Sequence, residues 1–202
     1  MRIVPWIPPL FRDRAAAGRV LAEALSAYAE AIVVGVARGG VAVAAEVADA
    51  LGAPLTAVDV ERVNAGGRRL GATTAHGPPY LLVPEERVEP FLASARRDAE
   101  RLEARLEHET LPVAGRVALL VDDGAITGLT LAAACVWARA AGAATVVAAV
   151  PVAHVDGLRR LGEVADEVVC PHALEQIAVV GQAYDSFDPL DEWYVAGLLN
   201  ER

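Results

Sequence analysis

The sequence predicts a doubly wound α/β domain, a mostly parallel sheet with helices on both faces, as a single domain over residues 1–202. Three observations carry this expectation. Short apolar runs alternate with helical segments long enough to serve as crossovers. The run Ala31-Ile32-Val33-Val34-Gly35-Val36 has no polar face, as a strand buried on both sides requires. Finally, 54% hydrophobic and 22% charged side chains over 202 residues supply one sizeable core, with no repeat, low-complexity tract or interdomain linker.

Asp13 suits the N-cap of a first helix in which Val20, Leu21, Leu25 and Tyr28 recur at helical spacing. The strand 31–36 follows, and Ala37-Arg38-Gly39-Gly40 is expected to break it as a glycine-rich turn. Residues 41–51 read as a helix stopped by Gly52 and Pro54, and 55–60 as a second strand. The unit recurs as strand 117–121, loop 122–128, helix 129–141 ended by Gly142, strand 144–150, helix 155–161 and strand 167–170. Between the halves, 61–79 is rich in Gly, Arg and Thr, and its sparse apolar anchorage predicts a mobile segment. Pro90 suits the first turn of a long, largely solvated helix reaching about 108. Trp193, Tyr194, Leu198 and Leu199 suit a packed C-terminal helix.

Eighteen basic against 27 acidic residues give a net charge of −9. Nucleic acid and anionic membranes are therefore not expected partners, since both need clustered positive charge. Any anionic ligand must be held locally. Every basic residue is arginine, which removes Schiff-base chemistry and the P-loop lysine. Cys135 and Cys170 cannot build a disulfide framework, and the N-terminal residues lack the apolar run of a signal peptide, so a cytoplasmic location is expected. His76, His108, His154 and His172 have no metal-binding spacing with each other or with the cysteines. No serine sits in a Gly-x-Ser-x-Gly context, and no strand is followed by Gly-x-Gly-x-x-Gly.

Two strand–loop–helix junctions can carry chemistry. At Val121-Asp122-Asp123-Gly124-Ala125-Ile126-Thr127-Gly128-Leu129-Thr130, two carboxylates end a buried strand, and hydroxyls and glycines then open a helix. Outward amides and the helix dipole suit an anion there. Carboxylates beside a phosphate repel it unless something lies between, and a ribose with a 5′-phosphate does so. At the second junction, Arg38 offers a donor fork for phosphate oxygens, and Gly39 and Gly40 permit unusual backbone angles.

The first string resembles the phosphoribosyl-pyrophosphate motif of the type I phosphoribosyltransferases. The second resembles that family's pyrophosphate loop in a bacterial subgroup with Arg-Gly-Gly. Phe11-Arg12-Asp13-Arg14, the 147–153 strand and the segments 165–170 and 178–187 are similar to the subgroup's opening and closing parts. The resemblance implies a magnesium-dependent phosphoribosyltransferase fold with a small hood from the terminal segments, a homodimer, and a nitrogenous base as acceptor near 170–181. It assigns Asp122 and Asp123 to the ribose hydroxyls, and Ala125, Ile126, Thr127, Gly128, Leu129 and Thr130 to the 5′-phosphate. Ala37, Arg38, Gly39, Gly40 and Arg62 fall to the pyrophosphate. Arg38, Arg62, Asp122 and Asp123 are the expected catalytic residues, and no metal ligand is assigned.

Three departures bear on turnover, and Ile126, Glu61 and the altered flap favour a rival reading, a non-catalytic sensor of the sugar phosphate or a nucleotide. Ile126 stands where the family places an aspartate, or in this subgroup usually an alanine, so it cannot act as a base. Leu129 replaces a small or polar residue. Glu61-Arg62 replaces an Arg-Lys pair, with Asn64-Ala65-Gly66-Gly67-Arg68-Arg69 as a rewritten flap in which Arg68 or Arg69 could close over a pyrophosphate. Gly128→Val is expected to leave the fold intact, since valine is no worse than glycine at a helix start by propensity.

Overall fold

The computed structural model describes residues 8–106 and 111–200. In chain order, α1 (Arg14–Ala24), β1 (Ile32–Val36), α2 (Ala37–Leu51) and β2 (Leu55–Val58) form the first half. A hairpin of β3 (Val60–Ala65) and β4 (Arg68–Thr74), extended by β5 (Tyr80–Leu81), precedes the long helix α3 (Glu89–Leu106). The second half begins with β6 (Val117–Val121), α4 (Leu129–Ala140), β7 (Thr145–Ala149) and β8 (Val152–His154). It continues with α5 (Val155–Leu161), β9 (Glu167–Val169), β10 (His172–Leu174) and α6 (Glu192–Asn200).

The main sheet has five strands in the order β2-β1-β6-β7-β9, every neighbouring pair parallel. Alternation along β1 divides the core. Ile32, Val34 and Val36 face Leu131 and Cys135 of α4, whereas Val33 faces Leu21 and Leu25 of α1 with Val43 and Val47 of α2. Helices thus cover both faces, as the apolar run requires. The chain steps outward from β1 to β2 and, in the opposite direction, from β6 to β7 and β9. Such a reversal opens a crevice beyond the carboxyl ends of β1 and β6.

Four local expectations are corrected. Residues 37–40 are not a turn but the first turn of α2. Gly39 and Gly40 are needed for size rather than unusual angles: neither has a positive φ, and a Cβ would overlap Asp123 Oδ2 or lie 2.5 Å from the Val121 carbonyl. The second strand ends at Val58, and Asp59 separates it from the hairpin. The segment 61–79 is anchored at its base, because Val63 packs with Val88, Leu92 and Ala95 beside α3, and Ala72 joins the main core. Gly66 and Gly67, at φ 55° and 73°, make the two-residue reversal that matches strand twist, leaving an exposed tip. Finally, α6 buries Val195 and Leu199, one turn apart, which turns Trp193 outward at 85% exposure.

The hood is present. Phe11 pairs with Tyr184 and packs with Val152, Ile177 and Ala183, and β8 and β10 form a separate parallel pair. Among the described residues no helix is long and apolar enough to cross a membrane.

Candidate active site

Strand β6 delivers Asp122 and Asp123 to the crevice. Asp122 is buried, and its Oδ1 accepts the Asp123 backbone N–H at 2.8 Å. Burial, together with the neighbouring Asp123 charge, raises the Asp122 pKa well above the usual carboxylate range. Burial also raises that of Asp123, opposed by the guanidinium of Arg14 and by Arg62. Arg14 donates from Nε to Asp123 Oδ2 at 2.9 Å.

The following loop wraps onto the hood and then starts α4. The Ala125 N–H donates to the Val152 carbonyl at 3.0 Å, and the His154 N–H to the Ala125 carbonyl at 2.8 Å. Arg160 donates to the Thr127 carbonyl, fixing the loop from α5. The N–H groups of Ile126, Thr127, Gly128, Leu129 and Thr130 meet no acceptor among the described residues. Five outward amides at the start of a twelve-residue helix make a cradle for an anion.

A cavity of about 570 Å³ joins these parts. Of the residues expected at the site, Asp122, Asp123, Ala125 to Thr130, Arg38, Gly39 and Arg62 line it, while Gly40 does not, and the Ala37 side chain lies outside the described part. Ala125 differs from the expectation in that its amide is already bonded to the hood. Gly40 serves the close approach of α2 to β6. Ile126 packs with the hood cluster, and Leu129 is buried at the start of α4. Arg62 of β3 faces the cavity, whereas its neighbour Glu61 does not line it and instead raises the pKa of buried Asp59. Arg69, not Arg68, joins Arg62 across the cavity, and burial and the Arg62 charge lower its pKa. Arg38 is half-exposed, with Nη1 3.8 Å from Glu192 Oε1. Ala178 to Gly181 and Phe187 close the hood end with no charged side chain.

Sequence reasoning did not find Arg14 or Phe187 as site residues. Arg14 and Asp123 lie 109 positions apart, and no spacing rule connects them.

Gly128 requires a further correction. It has φ 70°, and a Cβ there would lie 2.8 Å from the Gly157 carbonyl of α5. Valine would therefore strain the backbone and clash with main chain, rather than being tolerated as at an open helix start. Gly128→Val is expected to lower stability by about 2–4 kcal/mol, the sum of left-handed strain and overpacking. Urea unfolding checks this, and an unchanged midpoint would show that α5 yields.

Paired acids at a strand end, a helix start with unpartnered amides, and arginines thus meet around one cavity. Residues 13–186 match the phosphoribosyl transferase domain, and the chain belongs to that family. It is 35% identical to TT1426 of Thermus thermophilus, whose crystal structure superposes with a TM-score of 0.83 over 95% of this chain and 98% of that one. The purine phosphoribosyltransferase of Pyrococcus horikoshii, 21% identical with a TM-score of 0.51 over 88% and 92% of the two chains, shares the fold. Two curated Mycobacterium tuberculosis proteins, one from each of two strains, are provisionally named phosphoribosyl transferases. Each is 37% identical over 95% of this chain. The chain spans about half of their length, 46%.

Proposed function

We propose that the chain binds 5-phosphoribosyl-1-pyrophosphate with magnesium and transfers the phosphoribosyl group to a nitrogenous base in the cytoplasm, releasing pyrophosphate. The observation that carries this reading is the row of unpartnered amides at 126–130 directly after the Asp122-Asp123 pair. The 5′-phosphate sits on the amides, and the ribose hydroxyls donate to the carboxylates. The ligand's pyrophosphate then extends toward Arg38, Arg62 and Arg69.

Displacement at the anomeric carbon asks little of a protein base. What it needs is alignment and stabilisation of the leaving charge, which the arginines provide. The apolar hood end, with Phe187 and residues 178–181, receives the acceptor. Among the described residues no group of three or more His, Cys, Asp or Glu could hold a metal ion. Magnesium, when bound, would neutralise pyrophosphate charge, and it would be carried by the ligand's own oxygens with water. The same reading expects a homodimer, which light scattering tests.

Calorimetry with the sugar phosphate and magnesium, beside a pyrophosphate-release assay over a panel of bases, tests the proposal. Binding together with release on one class of base is expected. Binding without any release identifies the sensor instead, and absence of binding removes both. Arg62→Ala is expected to lower the release rate at least about tenfold while leaving affinity for ribose 5-phosphate within about twofold, because Arg62 serves the leaving group. Equal loss for both ligands would move Arg62 to the ribose end.

A further inference from the structure

One cation at the ribose end remains without a role in that scheme. Arg14 opens α1, and its side chain is only 12% exposed. Its guanidinium is held on three sides. Nε donates to Asp123 Oδ2 at 2.9 Å, Nη1 donates to the Asp188 carbonyl at 3.0 Å, and Cζ lies 3.8 Å from the centre of the Phe187 ring. Phe187 packs against Tyr184 at 4.9 Å between ring centres, and the Tyr184 hydroxyl donates to the Asp123 carbonyl at 2.6 Å. Asp123 is thus gripped at its side chain and at its main chain by one assembly. Among the described residues nothing donates to its Oδ1.

We propose that Arg14 is the positioning residue of the ribose site: it holds one oxygen of Asp123 so that the other faces the sugar, and it makes the hood segment 184–188 part of that site. The proposal rests on the sugar-phosphate reading of the cavity.

Two adjacent buried carboxylates disfavour each other's charge, so an unassisted pair would tend to share a proton. The charged groups that face Asp123 are Asp122 beside it, Arg62 from β3 and Arg14 from α1, with the neutral Tyr184 phenol from the hood. Arg62 is exposed on the hairpin, whereas Arg14 is mostly covered and held by Asp123, the Asp188 carbonyl and Phe187. An ammonium would supply the charge but could not stack on Phe187 and bond in two directions with one planar group. A buried ion pair is weak evidence for stability, since desolvation offsets much of the attraction. Its position over the ribose end therefore points to the sugar.

A double-mutant cycle on the full chain separates positioning from folding. The measurement is calorimetry with phosphoribosyl pyrophosphate and magnesium, in which stoichiometry reports the folded fraction and the dissociation constant reports the site. No binding by the unaltered chain would remove the sugar-phosphate reading itself. Given that binding, Arg14→Gln is expected to weaken affinity about tenfold, yet less than about twofold in an Asp123→Asn background. The weakening should be larger at about pH 6 than at about pH 8.5, because Asp123 without its cation ionises later. Arg14→Lys should lose only about threefold, retaining the charge without the fork. If Arg14→Gln does not fold, the lysine variant carries the same cycle. Equal weakening in both backgrounds, or none beside the native Asp123, overturns the proposal.

Discussion

Asp122→Asn combined with Asp123→Asn is expected to weaken phosphoribosyl-pyrophosphate binding about a hundredfold, with the chain still folded. Each carboxylate is expected to accept a ribose hydroxyl, and charge-assisted bonds are roughly twice as strong as neutral ones. Losing about 1.4 kcal/mol at each position gives about two powers of ten. The amide can still accept the bond that Asp122 Oδ1 takes from the Asp123 N–H at 2.8 Å. Folding feels opposed effects. Asp122→Asn removes a buried charge repelled by its neighbour, while Asp123→Asn weakens the pair with Arg14, which keeps its Phe187 face and the Asp188 carbonyl. The melting temperature is therefore expected to move by only a few degrees. Calorimetry reads the affinity, and a value within about threefold of the unaltered chain would discard the ribose assignment.

The parts of the fold that were legible are those where burial on both faces leaves no choice of residue. The 31–36 run could only be an interior strand, and Asp13 caps α1 through a 2.8 Å bond to the Ala16 N–H. Asp122 and Asp123 were legible because charge at the end of such a strand needs a reason. What was not legible depends on contacts remote in sequence. The Arg-Gly-Gly segment reads as a turn by composition, yet it is the first turn of α2, and its glycines answer to Val121 and Asp123, which occupy the space a Cβ would need. The Gly66-Gly67 pair is a two-residue hairpin signal. It is obscured by charged and small residues on both sides, since the buried apolar side chains Val63 and Ala72 anchor to different clusters. Gly128 reads as a ligand contact alone, because nothing local announces that α5 lies against it. Arg14 reaches Asp123 only once α1 and β6 are neighbours.

Asp59→Asn is expected to raise stability progressively as pH rises from about 5 to about 8. Asp59 stands between β2 and β3 at the root of the hairpin, 5% exposed, and among the described residues neither carboxylate oxygen has a hydrogen-bond partner. It borders a cavity of about 110 Å³ shared with Thr74, His76, Glu103 and Trp137. Burial, then the charges of Glu103 and Glu61, push its pKa up to about 7, with Arg38 opposing and Glu192 adding to the rise. In the unfolded chain the same group titrates near 3.8. Between those values the folded state keeps a proton that the unfolded state has lost, so stability is fully present below about 4 and falls as pH rises toward 7. The rise from 3.8 to about 7 corresponds to a loss on the order of 4 kcal/mol above about pH 7. Asparagine keeps the shape and cannot ionise. Its buried amide costs about 1–2 kcal/mol at every pH, which cancels when two pH values are compared. The advantage of asparagine over aspartate is therefore expected to grow by on the order of 2–3 kcal/mol between about pH 5 and about pH 8. Urea unfolding of both chains at the two pH values measures it. An advantage that stays constant would mean that Asp59 gains a partner or water when it ionises, and that the root of the hairpin opens to admit it.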